Sequence, residues 1–180
     1  MKLIFVRHGE SLENKKEIVG GHKPGSLTRI GVKQAKDMAR KLKNVKIDYI
    51  YSSDLKRAHD TAKEIAKFHP NAPFVTTTAI RERSMGSWQG KKRSKVGWTW
   101  EGLWVPRKRL GGGETIAEVY NRMRRFAKMV IKEHRNDTIL IVGHGYSGML
   151  LMAAFEDKKA DYWKNSARLK NTGIMRLVVK

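Results

Sequence analysis

Two histidines in this chain sit in matching surroundings. Val6-Arg7-His8-Gly9-Glu10-Ser11 and Val142-Gly143-His144-Gly145-Tyr146-Ser147 both read Val-x-His-Gly-x-Ser, and each follows a short apolar run. Arg7 adjoins the first histidine, and Arg57 follows Tyr51-Ser52-Ser53-Asp54. These residue types suit phosphate. A neutral imidazole is a competent nucleophile toward phosphorus. Arginine keeps its charge at any working pH and presents a planar fork of donors to a phosphoryl group. Glycine beside each histidine lets backbone amides approach an anion. Each residue alone has a plainer reading: a packed histidine after a strand, or a solvated arginine early in a helix. Their combination is what points to phosphoryl transfer.

The elements that must position them follow from hydrophobic spacing. Lys2–Val6, Ile47–Tyr51, Phe74–Thr78, Thr138–Val142 and Ile174–Val179 read as strands. Thr28 caps a helix with Ala35, Met38, Ala39 and Leu42 on one face. Ser52-Ser53-Asp54 offers caps to a helix carrying Ala58, Ala62 and Ile65, which His69-Pro70 ends. A long helix spans about Glu114 to His134, and a short apolar one about Ser147 to Phe155. Strands alternating with helices imply an α/β domain with a mostly parallel sheet. Ligands bind such sheets outside the carboxyl ends of the strands. Arg7 and His8, Arg57, and His144 all fall there.

Bulk composition narrows the class. The 180 residues fit one domain, without a run near the ~20 apolar residues of a membrane helix. Met1–Val6 is too short an apolar start for a secretory signal, so a cytoplasmic location is expected. Cysteine is absent, which excludes thiolate catalysis and Cys-ligated metals. Against 17 Asp+Glu stand 38 Lys+Arg, a formal net charge of +21. Such a field attracts phosphorylated metabolites or nucleic acid, or reflects only the environment in which the chain is soluble. Other enzyme motifs fail on spacing. Gly86–Gly90 followed by Lys91-Lys92 is one residue short of a phosphate-binding loop, and Gly145-Tyr146-Ser147-Gly148-Met149 lacks the last glycine of a nucleophile elbow.

Residues 83–113 break the alternation. This segment holds Trp88, Trp98, Trp100 and Trp104, and its charges are almost all basic. It reads as an ordered lid or cap inserted in the domain. Its tryptophans either stack on a substrate ring or pack against one another.

With these motifs in view, the chain resembles the histidine phosphatase superfamily, which includes phosphoglycerate mutases and many small phosphatases. The resemblance rests on Arg7-His8-Gly9-Glu10-Ser11-Leu12-Glu13-Asn14, Leu27-Thr28-x-x-Gly31-x-x-Gln34-Ala35, and Tyr51-Ser52-Ser53-Asp54-Leu55-Lys56-Arg57-Ala58 with Thr61. It continues through Ile80-Arg81-Glu82 with Gly86, Trp88 and Gly90, and Ile141-Val142-Gly143-His144-Gly145. These arrive in family order over nearly the whole chain. The resemblance implies a three-layer α/β/α sandwich, a single domain over 1–180, and no metal or cofactor. It implies that His8 is the phosphorylated nucleophile, with Arg7, Arg57 and His144 completing the phosphate pocket and Glu82 as general acid and base. Ser11, Asn14, Gly145, Gly20 and Gly21 would contact substrate. Arg81 and Arg83 should point away from Glu82, which must be protonated when it acts. Pro24-Gly25-Ser26 departs from the family's usual Asp-x-Pro, and His22 in that loop is expected to be solvated.

Mutases of this family are similar at the pocket but longer, with a distinctive stretch after the acid glutamate. Arg83-Ser84-Met85-Gly86-Ser87-Trp88 looks like the phosphatase branch. The expected activity is therefore metal-independent hydrolysis of a phosphorylated small molecule. A 2,3-bisphosphoglycerate-dependent mutase is the alternative. A basic nucleic-acid-binding protein on a phosphatase fold is the rival from another class. Composition leaves the oligomeric state open.

Overall fold

The computed structural model describes residues 1–166 and 169–179. Five strands form one sheet: β1 (Lys2–Arg7), β2 (Tyr49–Ser53), β3 (Phe74–Thr77), β4 (Thr138–Gly143) and β5 (Ile174–Val178), in the order β3-β2-β4-β1-β5. All neighbouring pairs are parallel except β1 with β5. Successive residues of a strand point to opposite faces, and the core divides accordingly. Leu3, Phe5, Tyr51, Ile139 and Ile141 pack against α4 (Ile116–Glu133) and α5 (Gly145–Phe155). Ile4, Val6, Ile50, Leu140 and Val142 pack against α2 (Arg29–Leu42) and α3 (Lys56–Ala66). The result is the expected three-layer α/β/α arrangement. A further short helix, α1 (Leu12–Lys15), follows the loop after β1.

The repeat noticed in the sequence has a structural counterpart. β1 and β4 are parallel neighbours, with Val6 opposite Val142 and Arg7 opposite Gly143. Matching motifs thus leave the sheet side by side, which sets the two histidine rings 5.2 Å apart between centroids.

Helix caps follow the sequence reading at one of the two sites it named, and the structure adds another. Thr28 caps α2, accepting from Gly31 N at 3.0 Å. Thr115 caps α4 with a reciprocal bond to Glu118. Such a cap contributes about 1 kcal/mol. The other expectation is corrected. Ser52 and Ser53 lie inside β2, and α3 follows Leu55, which gives it no side-chain cap. Ladder pairing with β3 and β4 continues to the end of β2, and both serines are buried by it.

Candidate active site

The loop after β1 is braced from below by α2. Gly9 N donates to Thr61 Oγ1 on α3, and Glu10 N to Gln34 Oε1 on α2. Thr28 Oγ1 bonds the Glu10 carboxylate at 2.6 Å. Gly31 lies so close to the loop that a Cβ there would stand 2.0 Å from Glu10 O. The Leu-Thr-x-x-Gly-x-x-Gln pattern is therefore the support of the His8 loop: cap, close approach and glutamine acceptor.

His8 itself is buried. Its Nδ1 lies 2.7 Å from the Gly9 carbonyl, which can only accept, so Nδ1 carries the proton and Nε2 its lone pair. Arg57 Nε donates toward that Nε2 at 3.3 Å. Burial foremost, then the charges of Arg57 and Arg7, hold the His8 imidazole well below its ordinary pKa. The ring is neutral at physiological pH, the state a nucleophile needs.

Arg57 projects from the first turn of α3. Its terminal nitrogens bond Lys23 O at 2.6 Å and Gly21 O at 2.8 Å. The guanidinium thus holds the Gly20–Gly21 loop while facing His8. Gly21 has a φ of +51°, a conformation that favours glycine. Arg7 is tied by Nη1 to Leu169 O at 2.6 Å. Asn171 donates to His8 O and to Asn14 Oδ1. Ser11 and Asn14 form a capping box on α1.

Glu82 reaches the same space from the segment after β3. Its carboxylate accepts from Ser147 N at 2.9 Å and Tyr146 N at 3.2 Å, in the first turn of α5, and from Arg83 N. Arg81 and Arg83 turn elsewhere. Arg81 grips Asp54. Arg83 is fully buried and bonds the carbonyls of Glu114, Leu103 and Lys108.

One pocket of about 170 Å³ gathers these groups. Arg7, His8, Arg57, Glu82, Ser11, Asn14, Gly20, Gly21 and Gly145 all line it. His144 does not. It lies fully buried behind His8, with Nε2 2.9 Å from Ser53 Oγ, and among the described residues its Nδ1 has no hydrogen-bond partner. Burial first, then Arg57 and His8, depress its pKa strongly, so it too is neutral.

His22 differs from expectation. It is only partly exposed: Nε2 donates to Glu82 O at 2.7 Å, and its backbone N bonds Gln89. Arg122 bonds the same Glu82 carbonyl and those of Ala79 and Arg81, and pairs with Glu114 at 2.8 Å. Sequence reasoning had passed over Arg122 and Asn171 and had read Ser53 as a helix cap, not as a partner of His144. Arg122 left a signal, since it falls within the apolar stripe Val119, Met123, Phe126 of α4. Ser53 and Asn171 left none, because their partners are remote in sequence.

The insertion folds as four 3-10 turns. It is tied to the loop before Gly20 by Val19 N to Lys91 O, Gly90 N to Val19 O and Arg93 N to Glu17 O. Trp100, Trp104 and Tyr146 form a cluster of edge and tilted contacts, 4.9 to 6.5 Å between centroids. The packing reading holds for these rings, and Trp98 and Trp100 also line the pocket.

Residues 3–180 match the model of the histidine phosphatase superfamily, branch 1. The chain is 39% identical over 150 residues to phosphoserine phosphatase 1 of Hydrogenobacter thermophilus, covering 80% of this chain and 71% of that protein. It is 31% identical over 152 residues to a metal-independent phosphoserine phosphatase of Arabidopsis thaliana, covering 80% and 64%. Among solved structures, a mycobacterial glucosyl-3-phosphoglycerate phosphatase superposes with a TM-score of 0.90 at 24% identity, over 98% of this chain and 90% of that one. At that identity the likeness is one of fold.

Proposed function

The chain belongs to the histidine phosphatase superfamily, and from that premise we propose that it hydrolyses a phosphomonoester through a phosphohistidine on His8, without a metal. The observation that carries this reading is the arrangement of His8. Its Nδ1–H is spent on Gly9 O, and its Nε2 lone pair faces Arg57 in a pocket also lined by Arg7 and Glu82.

The reaction runs in two displacements. A phosphoryl group enters between Arg7 and Arg57, and its oxygens replace Nε2 as the partner of Arg57 Nε. Nε2 attacks phosphorus as the P–O bond to the alcohol breaks, and Glu82 gives its proton to the departing oxygen. Positioned acids of this kind contribute about 10²–10⁴-fold. Water then attacks phosphorus, Glu82 takes its proton, and the N–P bond breaks to restore neutral His8. The arginines neutralise charge on the equatorial oxygens throughout. With Ser53 Oγ donating to its Nε2, His144 stays neutral behind His8, with its proton on Nδ1. Asn14 and the Gly145 amide supply the remaining hydrogen bonds.

A panel of phosphomonoesters, led by phosphoserine and assayed with EDTA, tests the proposal. Phosphate release should persist in EDTA and fall by at least about 10⁴-fold in His8→Ala, the scale on which enzymes lose a covalent nucleophile. Release that needs added metal, or that survives His8→Ala, would refute it. A sample of 3-phosphoglycerate primed with 2,3-bisphosphoglycerate belongs in the panel, since isomerisation outrunning release would assign a mutase instead.

A further inference from the structure

The phosphate cradle accounts for only part of the pocket lining. The rest differs in character. Met85, Trp98, Trp100 and Leu103 of the insertion meet Tyr146 and Met149 of α5. The insertion is rich in lysine, yet Lys91, Lys92, Lys95 and Lys108 are exposed and absent from the lining. Arg93 is the one insertion cation among the described lining residues, and its guanidinium carbon lies 4.7 Å from the centre of the Trp98 ring. That contact stiffens the tryptophan plane and draws the charge onto a ring face.

These walls are fixed in advance. Trp100 Nε1 bonds Lys164 O, and its ring edge meets Trp104 and Tyr146. The Leu103 carbonyl is held by Arg83 and by the Tyr146 hydroxyl. A preformed apolar wall binds without paying the ordering cost of mobile side chains.

Building on the phosphatase reading above, we propose that the substrate class is a phosphomonoester whose alcohol carries one planar or apolar ring. The ring lies against Trp98, Trp100, Leu103 and Met149 while its phosphoryl group occupies the arginine cradle. A compact phosphorylated amino or hydroxy acid, which would place a second anion against this wall, fits it less well.

The test compares benzyl phosphate, ethyl phosphate and phosphoserine. All three leave as alkoxides, so the comparison reads binding of the alcohol more than its acidity. The kcat/KM for benzyl phosphate should exceed that for ethyl phosphate by about 10-fold or more, the scale on which added apolar groups are discriminated. Trp98→Ala should cut that ratio several-fold, and Trp98→Phe should restore most of it. A ratio measured on one preparation is insensitive to the fraction folded. A preference for phosphoserine that Arg93→Met abolishes would overturn the proposal in favour of a second-anion site. A benzyl-to-ethyl ratio near one, or one untouched by Trp98→Ala, would also overturn it. Binding of phenylphosphonate against methylphosphonate, measured by calorimetry, separates this inference from the catalytic one. Tighter phenylphosphonate binding by a protein that hydrolyses nothing would sink the phosphatase reading and keep the ring site. Equal binding by an active enzyme would do the reverse.

Discussion

The His8 loop and the insertion at 83–113 enclose the same pocket, but they are held by different means. The loop leaves a parallel sheet whose register puts Arg7 beside Gly143, and backbone groups complete it: Gly9 O for His8, Gly21 O and Lys23 O for Arg57. The insertion has no strand of the sheet. It is held by Arg83 on three carbonyls, by a few backbone bonds to the loop before Gly20, and by packed tryptophans. In the proposed reaction the cradle residues serve geometry and chemistry at once, so their loss should reach the reaction itself. Insertion residues serve as wall, so their loss should change which substrate is taken. The acid sits on the seam. Glu82 borrows its carboxylate contacts from α5 and its backbone anchors from Arg122 and His22.

The sharpest test of this contrast is Arg57→Met. It removes a phosphate donor and the clamp on the Gly20–Gly21 loop together. Steady-state kinetics should show kcat/KM down by about 10²–10³-fold for every substrate alike. A loss confined to one substrate would break the distinction between cradle and wall.

A smaller effect is expected at the seam, in stability. Burial pushes the Glu114 carboxyl up, but hydrogen bonds from His22 and Arg122, with the Arg122 charge, overcome this and hold it down at about 2. A depressed carboxylate stabilises the fold above its unfolded pKa, near 4.5, and the benefit drains away as pH falls from there toward 2. At about 1.4 kcal/mol per unit, the loss is on the order of 3 kcal/mol at most. Denaturant unfolding across pH 5 to 2 should therefore show a steeper decline for wild type than for Glu114→Gln. Parallel curves would mean that the ion pair does not anchor the acid segment.

The smallest effect is expected from Lys91→Ser, Lys92→Ser and Lys95→Ser combined. These side chains are exposed and absent from the pocket lining. Phosphatase kinetics at moderate salt should stay within about twofold, since surface charges away from a site act weakly through screening water. A large rise in KM would give the lysines a place in substrate capture, and the insertion would then be a charged funnel as well as a wall.

Much of the candidate site's placement was legible in the sequence. The cradle residues His8, Arg7 and Arg57 and the acid Glu82 lie in short motifs at strand ends, where a turn and a glycine determine local geometry. Helix faces such as Val119, Met123 and Phe126 followed from spacing. What went astray involved partners far apart in the chain. Ser52 and Ser53 look like helix caps locally, yet pairing with β3 and β4 extends the strand through them. His22 looks like a loop histidine until Glu82, sixty residues on, offers its carbonyl.

The sequence by itself determined the alternation of strands and helices, the family, and the chemical types brought to one sheet edge. These depend on local periodicity and on turns a few residues long, where the backbone has few alternatives. Only the tertiary structure decided that β1 and β4 lie side by side, that His144 stands behind His8, that Arg122 turns inward to grip the acid segment, and that Trp98 and Trp100 face the pocket while the lysines do not. These are choices among long-range contacts of similar local cost. The packing of the whole core makes them, by burying the rings and leaving the ammonium groups in water.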